Sequence, residues 1–73
     1  MDYHKICIRS MEKGTYLLNN GFWTHDDGRA RTFDSVENAL EFIKTDLGGK
    51  KRFHVTAFYR EKGFLMWHYH YNL

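Results

Sequence analysis

The clearest hydrophobic pattern in the chain runs from Arg52 to Tyr71. Aromatic and β-branched residues alternate with polar ones through Arg-Phe-His-Val-Thr-Ala-Phe-Tyr-Arg. They alternate again through Phe-Leu-Met-Trp-His-Tyr-His-Tyr, beyond Glu61-Lys62-Gly63. Alternation broken by a short glycine-bearing link predicts a β-hairpin. A three-residue connection with Gly63 in the left-handed region sets a register in which His54 faces His70, Thr56 faces His68, Phe58 faces Met66 and Arg60 faces Phe64. Side chains alternate across a strand, so this register collects Phe53, Val55, Ala57, Tyr59, Leu65, Trp67, Tyr69 and Tyr71 on an apolar core face. The outer face then carries His54, Thr56, Phe58, Arg60, Phe64, Met66, His68 and His70. A slip of one residue regroups every pair.

A second periodicity lies upstream. Val36, Leu40, Ile43 and Leu47, flanked by Ala39, fall on one stripe at helical spacing. Asp34 is placed to cap the start, with Glu37 reaching back as in a capping box. Gly48 is placed to end the helix. Before it, Tyr3 to Arg9, Thr15 to Asn19 and Phe22 to Thr24 read as short strands. Met11 to Gly14 is a turn, Asn20-Gly21 is a type I′ turn, and His25 to Gly28 is a polar turn. Arg29 to Phe33 reads as either a short edge strand or an irregular link. The expected order is β-β-(β)-α-β-β. That is an α+β fold, an antiparallel sheet of four to five short strands with one α-helix packed on one face. The helix stripe is expected against Val55, Tyr59, Leu65 and Trp67.

Length makes this one domain, residues 1–73. A domain this short buries only about 60% of its unfolded surface. Six Phe, five Tyr and two Trp supply the missing area. The formal charge of +2 argues only weakly for nucleic acid and gives no polybasic membrane anchor. Cys7 is the sole cysteine, so no disulfide within the chain is expected, and a reducing, cytoplasmic setting is. The N-terminal residues carry no hydrophobic run, so neither a signal peptide nor a membrane span is expected.

Candidate chemistry is sparse. His54, His68 and His70 share the outer face of the expected hairpin, and three imidazoles can hold zinc. That face lacks a carboxylate to orient the rings, so no metal and no cofactor is expected. His25, Asp26 and Asp27 resemble a base with carboxylates, but turn geometry alone explains them, and no nucleophile accompanies them. Gly48-Gly49-Lys50-Lys51 lacks the spacing of a phosphate loop. No catalytic residue is expected.

Exposed aromatics, Met and Arg typify protein interfaces. The expectation is therefore a non-enzymatic, intracellular protein-binding module: an inhibitor, adaptor or regulator of the scale that phages and mobile elements encode. Its contact residues would be Phe58, Arg60, Phe64, Met66, His54, His68 and His70. The alternative is single-stranded nucleic acid stacked on the same face, with Lys50, Lys51 and Arg52 on the phosphates. A homodimer fits either reading.

Overall fold

A computed structural model describes residues 3–71. Its elements are β1 (Lys5–Ser10), β2 (Tyr16–Leu17), β3 (Trp23–Thr24), a 3-10 turn (Asp27–Arg29), α1 (Val36–Asp46), β4 (Phe53–Glu61) and β5 (Phe64–Tyr71). The strands form one antiparallel sheet in the order β3-β2-β1-β4-β5. The expected α+β architecture, with one helix on one face of the sheet, is the observed one.

Alternation in β1 and β4 decides which side meets the helix. Ile6 and Ile8 pair with Ala57 and Val55, and these four share a face. Ala39 and Ile43 of α1 are fully buried against them, with Val36, Leu40, Phe42 and Leu47 packed around. Burying a side chain of this size contributes about 1.5–3 kcal/mol. The helix begins one residue later than the expected cap. Ser35, extended at φ −153, accepts a bond from the Asn38 N–H at 3.0 Å. Ser35 therefore replaces Asp34 as the N-cap, because its hydroxyl reaches the third helical amide. Gly48 ends the helix as expected, turning at φ 72 so that the Gly49 N–H bonds the Ile43 carbonyl at 2.8 Å.

Two turns exchange their expected types. At Asn19–Gly21, Gly21 alone takes positive φ, at 87. The Leu18 N–H bonds Phe22 O at 2.8 Å, and the Asn20 side chain accepts from the Phe22 N–H at 3.0 Å. That is a three-residue loop, not a type I′ turn. At the C-terminal hairpin, Lys62 and Gly63 both have positive φ, 52 and 83, which marks a two-residue type I′ turn. The register consequently slips by one from the expected pairing. Glu61 faces Phe64, Phe58 faces Trp67, Thr56 faces Tyr69 and His54 faces Tyr71.

The slip turns β5 over relative to β4. Phe64, Met66, His68 and His70 lie on the helix side with Phe53, Val55, Ala57 and Tyr59. Leu65, Trp67, Tyr69 and Tyr71 lie on the other side with His54, Thr56, Phe58 and Arg60. Apolar burial does not prevent this, because α1 packs on β1 and β4 and leaves β5 outside its cover.

Arg29 closes the 3-10 turn and residues 30–33 form an irregular link, not a strand. The Arg31 N–H bonds Leu17 O and the Phe33 N–H bonds Ile6 O, so the link runs beside β1 and β2. Arg31 lays its guanidinium over the rings of Phe33 and Phe42, 4.8 and 4.7 Å from their centres, and fastens the link to α1. Among the described residues, no helix is long and apolar enough to cross a membrane.

Candidate functional site

The sheet face away from α1 is only partly covered, and its two halves are covered differently. Over β1 and β2, the Asp26 carboxylate accepts from the Gly28 N–H at 2.9 Å and holds the 3-10 turn closed. Lys5 Nζ donates to Asp27 O at 2.8 Å and draws that turn onto the sheet. Ala30 then packs with Cys7, Phe58 and Tyr16 as a second, smaller core. Over β4, the cover comes from β5. The Tyr69 and Tyr71 rings stand 4.6 and 5.5 Å from the His54 ring, which is 2% exposed. Between the two halves lies a cleft of about 250 Å³. Buried Thr56 and Phe58 supply its floor, and Arg9, Tyr16, Asp27, Trp67 and Tyr69 its walls.

Burial dominates the electrostatics here. It pushes the His54 imidazole down to about 4, with nearby Arg9 adding to the effect, so the ring is neutral at pH 7. It pushes the Cys7 thiol up to about 11, against the smaller opposing pull of Lys5. A buried, protonated thiol is a poor nucleophile. Burial raises the Tyr16 phenol as well. Neither His54 nitrogen nor Thr56 Oγ1 has a hydrogen-bond partner among the described residues. Buried polar groups without a protein partner are uncommon in folded interiors.

The structure divides the residues that the expected hairpin had placed together. His54, Phe58 and Arg60 remain on the open face. Phe64, Met66, His68 and His70 lie across the sheet, on the helix side. His68 and His70 are neighbours, with ring centres 6.5 Å apart, but His54 does not converge with them. No group of three or more metal-ligating side chains is found among the described residues. Phe58 is 4% exposed and belongs to the small core, so charging it tests folding and not binding. Lys50 and Lys51 are exposed before β4, whereas Arg52 stacks 5.3 Å from the Phe53 ring centre and lies 4.0 Å from Glu12.

Conversely, four side chains assigned by alternation to the core are open. Leu65, Trp67, Tyr69 and Tyr71 are 40%, 52%, 43% and 50% exposed. Arg9 and Tyr16 were not anticipated at this site. The alternation Lys5, Cys7, Arg9 carries the signal for Arg9, since those three share a face. Nothing local in the sequence marks Asp27, which arrives by way of the link.

Compared with known proteins, the chain matches no family model, no curated protein and no solved structure.

Proposed function

We propose that the chain is a protein-binding module whose contact surface is the open face of the C-terminal hairpin. Its output is occupancy of that face, as an inhibitor, adaptor or regulator. The observation that carries this reading is the row Leu65, Trp67, Tyr69 and Tyr71, each 40–52% exposed on one side of one strand. Side chains of this size leave roughly 400 Å² of apolar surface open, the scale of a functional patch on a small protein. Trp, Tyr and Arg are also the residues that dominate interface energetics, and Arg9 and Arg60 share this face. The cleft beside Trp67 gives a partner side chain a place to insert.

The test is capture of partners from lysate by tagged wild-type chain and by Trp67→Ala, each with and without nuclease. The expected outcome is a discrete protein, retained after nuclease and weakened by Trp67→Ala by about thirtyfold, as for a central aromatic anchor. Equal retention by both chains would move the contact off this face.

A second reading rests on the same row. Trp67, Tyr69 and Tyr71 at alternate positions, with Arg9 and Arg60 alongside, is a layout on which single-stranded bases stack. Its mark would be nucleic acid in the captured material and affinity falling steeply with salt. The formal charge of +2 favours the protein partner.

A further inference from the structure

The sheet has two outer strands, and they differ in what their edges offer. β3 is two residues long, whereas β5 presents eight, Phe64–Tyr71, with no strand on its outer side among the described residues. In a two-residue hairpin the residues flanking the turn exchange both main-chain bonds, and bonding then alternates along the ladder. Glu61 and Phe64 are that closing pair. The N–H and C=O groups of Leu65, Trp67, Tyr69 and Tyr71 therefore point away from β4. Natural edges are blunted by charge, proline, a bulge or a covering element. β5 has no Lys, Arg, Asp, Glu or Pro, and its pairing with β4 runs unbroken from Phe64 to Tyr71. The charges Arg60, Glu61 and Lys62 gather at the hairpin tip instead.

We infer that β5 pairs antiparallel with β5 of a second copy of this chain, joining two five-stranded sheets into one of ten strands about a two-fold axis. The strand suits its own reverse. Because it carries no charged residue, no register brings like charges together, and the charged tips lie at opposite ends of the joint. A two-fold axis perpendicular to the sheet keeps each face on its own side. Leu65, Trp67, Tyr69 and Tyr71 then meet the same four residues of the second copy, and such cross-strand aromatic and apolar pairs stabilise the joint.

The six large apolar side chains of β5 are 40–71% exposed, and edge pairing covers the flanks that meet the second copy while their outer surfaces stay open. This goes beyond the proposed function: it uses the strand's edge and leaves the open face free, doubled into one continuous surface.

Two measurements on the full chain test it: mass by size exclusion with light scattering, and amide exchange by NMR. The expected mass is twice 8.8 kDa. The outward amides of Leu65, Trp67 and Tyr69 should exchange slowly, as paired amides do. Trp67→Pro removes the central outward donor, and Trp67→Lys keeps that donor but charges the joint; the second decides if the first does not fold. For a variant with a wild-type circular dichroism spectrum, the dimer dissociation constant should rise about tenfold or more. A folded wild-type monomer whose outward amides exchange fast would overturn the inference. So would a dimer that Trp67→Lys leaves intact.

Discussion

Strands β4 and β5 are both rich in aromatic and apolar residues, yet Phe53 through Phe58 are buried and Phe64 through Tyr69 are exposed. In β4 even His54 and Thr56 lie at 2% exposure, whereas in β5 Trp67 stays half open. Hydrophobicity does not separate the two strands, but position does. β4 lies between β1 and β5, under α1 on one side and under aromatic rings on the other. β5 is an edge strand that lends cover and receives little. The same residue types thus do opposite work: in β4 they hold the fold, and in β5 they are available to another molecule.

The sharpest way to break this comparison is to place one charge in each strand. Val55→Asp buries an uncompensated carboxylate and should cost about 3–5 kcal/mol. That is a large share of the roughly 4–11 kcal/mol expected for a domain of this length. Met66→Asp, at a position 41% exposed, should change stability by less than about 1 kcal/mol. Urea denaturation of the two variants decides it, and equal losses would mean that β5 is as much core as β4.

Acid titration probes the buried histidine of β4. His54 stays neutral in the fold down to about pH 4, whereas the unfolded chain takes up that proton near 6.5. The stability tied to its neutral form is therefore fully present above pH 6.5. It is lost as pH falls from 6.5 towards 4, by up to about 3 kcal/mol, with no further loss below. His54→Leu should remove that portion of the acid sensitivity and leave the rest. The melting temperature of the wild-type chain should fall relative to that of His54→Leu as pH drops from 6.5 towards 4; parallel curves would mean that His54 is not the group titrating.

The smallest effect concerns the turn that joins the strands. Lys62 holds a positive φ of 52, which a side chain bearing a Cβ resists. Lys62→Asn should stabilise the hairpin by roughly 0.5–1 kcal/mol without altering the register, since Asn-Gly is the preferred type I′ pair. Thermal melts measure the gain, and nuclear Overhauser contacts between Phe58 and Trp67 check the register. Destabilisation would show that the Lys62 side chain contributes more than its backbone strain costs.

Much of the fold was legible in the chain. Val36, Leu40, Ile43 and Leu47 at helical spacing, ended by Gly48, determined α1 and its buried stripe. Alternating residues located β1, β4 and β5, and the order of elements determined a helix over an antiparallel sheet. These features depend on neighbours a few residues apart, so local chemistry suffices to read them. The site was less legible, because it hangs on one residue of register. Glu61-Lys62-Gly63 admits both a three-residue and a two-residue turn, and α1 does not reach β5, so burial casts no vote between them. Tertiary structure alone put Trp67, Tyr69 and Tyr71 beside His54 and Thr56, carried Asp27 to the cleft wall through the link, and parted His54 from His68 and His70. Such pairings depend on where the sheet ends and what the helix can cover, and residue order along the chain does not encode either distance directly.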